Sequence, residues 1–250
     1  KEVKYNDFES LEKFICHKLF KLNEEINLLY ENYSFNKVFQ LVLSFCSQEL
    51  STLFFDIRKD TLYCEKSDSL KVNQTKTVLN YVFKCLIRWI SPIIPFTSEE
   101  AWQSWKNEID DGSLESCHLL QAEPLPDTWK QDELESLWEK IFSVKDLFSL
   151  CVEKKRNSKE IKSGLEARVF IHLGSDYEII KEKVDLSEIL ISADVDYVER
   201  YNESYESDDD KNFFIKVEPA GGNKCPRCWK YFGTNEKSNL CNRCEKVINE

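Results

Sequence analysis

Four cysteines near the end of the chain constrain its fold more than any other feature. Cys225, Cys228, Cys241 and Cys244 form C-x2-C-x12-C-x2-C. Each C-x2-C pair presents two thiolates from one tight turn, and two such knuckles complete the tetrahedral soft-ligand set that zinc prefers. The twelve intervening residues leave room for a small hairpin between the knuckles. With all four positions filled by protein, such a site is structural, and no metal-bound water is left for catalysis. So short a segment has no core of its own, so metal binding would supply much of its folding free energy, on the order of 10 kcal/mol. The other readings of these cysteines are a dithiol redox pair or chance burial.

The remaining six cysteines, Cys16, Cys46, Cys64, Cys85, Cys117 and Cys151, occur singly. The start KEVKYNDFE is charged and is no signal peptide, so a reducing cytosol is expected and a disulfide framework is not. These six read as small core hydrophobes or incidental surface thiols. No window reads as the run of apolar residues that a spanning helix needs, and no membrane partner is expected. A chain with 42% hydrophobic and 32% charged residues is an ordinary globular one. It begins with Lys1 and contains no methionine, which suggests a processed chain or a piece of a longer one. The net charge of -11 is unevenly spread. Residues 1–106 are neutral, 107–222 carry -14 and 223–250 carry +3, so bulk acidity excludes nucleic acid at neither end.

The first hundred residues have helical periodicity. Phe8, Leu11, Ile15, Leu19, Leu22, Ile26 and Leu29 recur every three or four positions. Ser34 can cap a second helix whose apolar side is Phe35, Val38, Val42, Phe45, Leu50, Leu53, Phe54 and Ile57, with Arg58-Lys59-Asp60 and the polar stretch after them closing it. A third helix is predicted from about Thr75 to Ile90, with Val78, Val82, Leu86, Trp89 and Ile90 inward. It stops near Ser91 because Pro92 follows. Thr97-Ser98-Glu99-Glu100 reads as a capping box opening a fourth helix, with Trp102 and Trp105 in the core. Together these predict an antiparallel bundle.

A second composition begins near Asp110. DDGS and EPLPD are loop signals, followed by a helix whose stripe uses Leu134, Leu137, Trp138, Ile141, Leu147 and Leu150. Ala167, Val169, Ile171 and Leu173 alternate as a half-buried strand does. YEIIKEKV predicts a helix, LSEILIS a short helix or strand, and FFIKVEP a strand. The run from Tyr205 to Asp210 reads as an acidic turn or disordered connection. The expected class is mainly α: a helical bundle over 1–125, a small α+β subdomain over 126–219 and a zinc ribbon over 220–250.

Arg227, Trp229, Lys230 and Arg243 interleave basic and aromatic side chains around the cysteines, which suits unpaired RNA bases and their phosphates. The alternative is that Trp229 packs beneath the knuckle and the charges only solvate a small module. Lys154, Lys155, Arg156, Lys159 and Lys162 form a second basic cluster, either an RNA contact or a solvated helix face. No catalytic residue is recognisable. His17, His118 and His172 are isolated, and only 6 glycines are present, with no phosphate loop.

FDIRKDTLYC followed by IRWISPIIPFTSEEAW resembles the helical anticodon-binding domain of class I aminoacyl-tRNA synthetases for branched aliphatic amino acids. KSGLEARVFIHL resembles the C-terminal junction of bacterial isoleucyl-tRNA synthetases. CPRCW and LCNRC are similar to the zinc-binding C-terminus of the same family. The resemblance implies one structural zinc ion on Cys225, Cys228, Cys241 and Cys244, and a segment that recognises and positions the anticodon region of the isoleucine tRNA. It implies that the complete enzyme joins isoleucine to its tRNA with ATP and magnesium, whose binding signatures HIGH and KMSKS do not occur in this chain; the editing domain is also absent. A monomer in the cytoplasm is expected. Arg58, Lys59 and Arg88 are candidate RNA contacts on the helices, and Lys155, Arg156, Arg227, Trp229, Lys230 and Arg243 beyond them. Family members usually carry an arginine where this chain has Thr61. A stand-alone zinc-ribbon module binding protein or DNA from a helical scaffold is the rival reading.

Overall fold

The computed structural model describes residues 2–109, 114–233 and 239–249. The DDGS loop signal and most of the NEKSNL stretch between the knuckles lie outside the described residues. By packing, the chain forms two units, Lys1–Asp56 with Leu70–Gln131, and Ile57–Ser69 with Asp132–Glu250. The expected divisions after 125 and 219 follow the order of the chain, whereas this grouping follows its contacts. Residues 57–69 join the second unit because their polar side chains pair with residues more than a hundred positions away.

The first unit is helical. Helices α1 (Ser10–Glu31), α2 (Phe35–Phe45), α4 (Leu70–Ile90) and α5 (Pro95–Ile109) enclose a core that includes Phe14, Ile15, Leu19, Val38, Phe45, Val78 and Trp89. Burying so many large apolar side chains is what holds amphipathic helices together, at about 1.5–3 kcal/mol each. The indole N–H of Trp89 donates to Asn23 Oδ1 at 3.0 Å, and Asn23 in turn donates to the Glu123 carbonyl. The most buried indole in this unit therefore leaves no polar atom unpaired.

Several helix boundaries differ from the sequence expectation. Beyond α2 the chain continues as a π-helical stretch, Cys46–Phe55, and then as α3, Asp56–Cys64. The five-residue step from Phe45 to Leu50 in the apolar stripe has the register of this wider turn. Thr52 Oγ1 likewise donates five residues back, to the Ser47 carbonyl at 2.8 Å. Arg58-Lys59-Asp60 therefore does not end the helix, which stops at Cys64, where the polar stretch begins. Ser34 occupies the N-cap position without a side-chain capping bond. The segment Phe35–Cys64 is long and apolar enough, by length and composition, to cross a membrane, which corrects the reading that no window approaches this. α2 packs on α1 and α4 and buries Val38, Val42 and Phe45.

α4 begins five residues before the predicted Thr75. It ends at Ile90 as predicted, where Ser91 N–H still bonds to the Ile87 carbonyl. Thr97 is not an N-cap, because Pro95 already occupies the first helical position, where its missing N–H costs nothing. Glu99, rather than Glu100, is the carboxylate with a structural task. It accepts from Ser116 Oγ at 2.8 Å and Cys117 N–H at 3.0 Å.

In the second unit α6 (Asp132–Asn157) lies under a four-stranded sheet of order β2-β1-β4-β3. Its buried stripe is Leu137, Trp138, Ile141, Val144, Phe148 and Cys151, whereas Leu150 is exposed, so the expected phase drifts in the last two turns. β1 (Ala167–Leu173) buries its alternate residues, Ala167, Val169, Ile171 and Leu173, as predicted. It pairs antiparallel with β4 (Phe213–Pro219) and parallel with β2 (Asp194–Tyr197). Between β1 and β2 lie the short helices α7 (Ile179–Lys183) and α8 (Leu186–Ile189). The acidic run is ordered. Glu206–Ser207 form β3, and Asp208 accepts from the backbone of Asn212 and Phe213, closing the turn into β4.

Candidate metal centre and nucleic-acid interface

The first knuckle sits in a hairpin of β5 (Asn223–Lys224) and β6 (Tyr231–Phe232). Cys225 N–H bonds to the Lys230 carbonyl at 3.0 Å and Trp229 N–H to the Cys225 carbonyl at 2.9 Å, folding Cys225 and Cys228 inward. The hairpin thus surrounds the first knuckle, and part of the interval between the knuckles, where a hairpin was expected, lies outside the described residues. The second knuckle opens α9 (Asn242–Asn249), where Glu245 N–H bonds to the Cys241 carbonyl.

The four thiol sulfurs lie within 4.8 Å of one another, and Cys225, Cys228 and Cys244 are buried. Cys228 and Cys241 Sγ are 3.7 Å apart. A tetrahedral ion with bonds of roughly 2.3 Å requires sulfur–sulfur edges of about 3.8 Å, so the spacing fits the metal. Burial raises the Cys225 thiol, but hydrogen bonds from the backbone of Cys228, Cys241 and Arg227 outweigh it and hold it at about 6. Burial, with the neighbouring thiols Cys241 and Cys228, pushes Cys244 up to about 12 despite the bond from Arg227. The four sulfurs are placed so that they could hold a metal ion, whose charge would favour the thiolate forms. Cys64, read from sequence as an isolated thiol, packs in the same buried cluster and donates to the Arg227 carbonyl.

Each knuckle carries an arginine just before its second cysteine, and both reach the C-terminal end of α3. Arg227 donates to the carbonyls of Cys64 and Tyr63, which belong to the negative end of the helix. Arg243 grips Asp60 with two N–H groups and Glu65 with one, at 3.0 Å for Glu65. Burial would raise the Asp60 carboxyl, yet Arg243 holds it below the ordinary carboxylate range. These two arginines fasten the metal module to α3, a role that the reading of them as RNA contacts missed.

The other expected RNA contacts fall into distinct environments. Arg58 is 1% exposed and paired with Glu188 at 2.8 Å, so it does not face RNA; no local pattern signals a partner 130 positions away. Thr61, also buried, donates to the same Glu188. Lys155 pairs with Glu160 at 2.7 Å and Arg156 with Glu153 at 2.9 Å, giving a largely neutralised helix end. Arg88 belongs to the first unit and pairs with Glu123. Lys59 is exposed and Lys230 half-buried. Trp229 is 60% exposed with a φ of 65°, a left-handed conformation unusual for a bulky residue. It is not packed beneath the knuckle.

Glu99, Cys117 and His118 also bring possible ligand atoms together. The Glu99 oxygens are already committed to Gln103, Ser116 and Cys117, which makes this a braced turn. Among the histidines, His17 is a buried acceptor for the Gln131 N–H, and His172 meets the Val198 carbonyl.

One helical unit, and a second unit with four clustered cysteines beside basic and aromatic side chains, fit the class of RNA-binding accessory domains. The chain belongs to the family "Anticodon-binding domain of tRNA ligase", which residues 12–171 match. It is similar to isoleucine–tRNA ligases: 35% identical over 92% of its length to that of Agrobacterium fabrum, and 38% identical over 99% to that of Caldicellulosiruptor bescii. These matches cover 24% and 26% of the relatives, so the chain spans about a quarter of their length.

Proposed function

We propose that this chain is the tRNA-binding portion of an isoleucine–tRNA ligase, acting on the anticodon region while the rest of the same polypeptide activates isoleucine with ATP and magnesium. The observation that carries this is the match of residues 12–171 to the anticodon-binding family, within a chain that aligns almost throughout with isoleucine–tRNA ligases. A free-standing zinc-ribbon module is not favoured by relatives that align across both packing units. In functional terms the bundle over 1–125 is the anticodon-binding part, 126–219 the junction and 220–250 the metal-binding tail. The working state is a monomer in the cytoplasm.

One zinc ion on Cys225, Cys228, Cys241 and Cys244 would supply a fixed tetrahedral cross-link between the hairpin and α9. Its two positive charges would offset half of the charge of four thiolates. Arg227 and Arg243 transmit the position of that module to α3, where Lys59 is exposed. The surface offered to RNA is then Lys59, Trp229 and Lys230. An exposed indole held in a left-handed turn is suited to stacking on an unpaired base, and strain of this kind is concentrated at functional positions.

The test is equilibrium binding of the purified zinc-loaded chain to isoleucine tRNA and to an unrelated RNA of equal length. Tighter binding of the tRNA, weakened several-fold by Trp229→Ala, supports the reading. Equal affinity for both RNAs overturns it.

A further inference from the structure

A zinc site and a reactive dithiol are alternative readings of the same four cysteines, and the burial of their sulfurs lets one cluster be both in turn. Zinc has no redox chemistry of its own, but the thiolates that bind it remain oxidisable. Which of them reacts is set by access. Cys225, Cys228 and Cys244 are buried, whereas Cys241, immediately before α9, is half-buried. A small oxidant dissolved in water therefore meets the cluster first at the Cys241 sulfur.

The neighbouring sulfurs differ in their readiness to follow. Cys228 Sγ lies 3.7 Å from Cys241 Sγ and belongs to the other knuckle. Cys244, one turn into α9, accepts a hydrogen bond from Arg227, which engages an electron pair that an attack would use. Cys225 likewise accepts from the backbone of Cys228, Cys241 and Arg227. Cys64 is a fifth thiol in the same buried cluster, with its S–H donated to the Arg227 carbonyl. A thiol that keeps its proton is a far weaker nucleophile than a thiolate, so Cys64 is a bystander.

We propose that the metal centre releases its ion on oxidation: a hydroperoxide oxidises Cys241, and Cys228 then closes a disulfide across the two knuckles. The Cys241 thiolate attacks one oxygen of hydrogen peroxide; an S–O bond forms, the O–O bond breaks and hydroxide leaves. The Cys228 thiolate then attacks the Cys241 sulfur; the S–S bond forms, the S–O bond breaks and a second hydroxide leaves. Two thiolates have given up two electrons in all, and the peroxide has gained them. Two thiolates, Cys225 and Cys244, are left for the ion, too few to hold it. The new bond joins the hairpin of β5 and β6 to α9 in place of the ion, so the tail stays closed and Arg227 and Arg243 keep their hold on α3. A dithiol reductant reverses the reaction by thiol–disulfide exchange. The proposal rests on the zinc assignment above and adds a means of releasing the metal.

The experiment treats the zinc-loaded chain with one equivalent of hydrogen peroxide. A colorimetric chelator follows released zinc, mass spectrometry of unreduced peptides maps disulfides, and dimedone traps sulfenic acid in a parallel sample. Release of about one zinc per chain is expected, together with a Cys228–Cys241 disulfide. Dimedone should label Cys241 at least tenfold above the other four clustered cysteines, and dithiothreitol with added zinc should restore the metal. Cys64→Ser should release zinc within about twofold of the wild-type rate. If that variant does not fold, as circular dichroism would report, the wild-type disulfide map decides. Labelling mainly at another clustered cysteine, a disulfide within one knuckle or to Cys64, or zinc retained after Cys241 is oxidised overturns the proposal. A chain that holds no zinc after purification without chelator overturns the metal assignment, a separate result, and this proposal with it.

Discussion

Replacing Arg243 by alanine removes three charge-assisted hydrogen bonds from the second unit, two to Asp60 and one to Glu65. Fully buried, each would contribute about 1.5–3 kcal/mol. The three side chains are between 24% and 34% exposed, so solvent screening reduces each bond to roughly 0.5–1 kcal/mol. The expected loss is about 2 kcal/mol, equivalent to a fall in Tm of about 4–8 °C at roughly 2–4 °C per kcal/mol for a chain of this size. Thermal unfolding of the zinc-loaded protein reads this directly. A double-mutant cycle with Asp60→Ala should give a coupling of about 1 kcal/mol or more. Arg243→Lys keeps the charge but not the planar fork, and should recover less than half of the loss. A Tm shift below 1 °C together with no measurable coupling would refute the claim that the metal module is fastened to α3 by this arginine.

Metal analysis of protein purified without chelator should find about one zinc per chain. Cys241→Ser should release it and expose the tail to protease; a metal-free wild type would contradict the assignment. Trp89→Ala removes a fully buried indole and the donor to Asn23 Oδ1, and should cost about 3–5 kcal/mol in urea unfolding. Glu99 is held down to about 2 by hydrogen bonds from Gln103, Ser116 and Cys117. Its folded value lies below the ordinary 4.5, so its stabilisation is full above that pH and is lost as the pH falls from about 4.5 towards 2. Glu99→Gln should flatten this part of the stability profile, and identical Tm–pH curves for variant and wild type would show the bonds to be inert.

Local pattern made some elements legible. The alternation in β1 is a period-two signal within seven residues, and the cysteine spacing places two turns on one ion without reference to the rest of the chain. The helix stop at Ile90 follows from Pro92 alone. The misread features depend on partners distant in sequence. Arg58 looked like a surface cation because Glu188 lies far along the chain, and Arg227 and Arg243 looked solvent-facing because α3 was not known to lie beside them. β2 is four residues of mixed polarity, and it becomes a strand only because β1 offers it a parallel edge. The π-helical stretch was visible as an over-long step in the apolar stripe, yet its width has meaning only once the helix is known to continue through it.

The division of labour on this surface follows from the same contacts. Most of the basic side chains near the cysteines hold protein together, and the acidic middle segment neutralises the cluster at the end of α6. On the proposed reading RNA contact is left to a few side chains, so its phosphate component should involve few ions. A shallow dependence of affinity on salt is expected for this chain, shallower than its count of lysines and arginines suggests.

Recognition of the anticodon region is tested by the affinity of the zinc-loaded chain for isoleucine tRNA before and after its anticodon is exchanged for an unrelated one. A loss of at least tenfold is expected on exchange, with the rest of the tRNA unchanged. Equal affinity for the two tRNAs would contradict it.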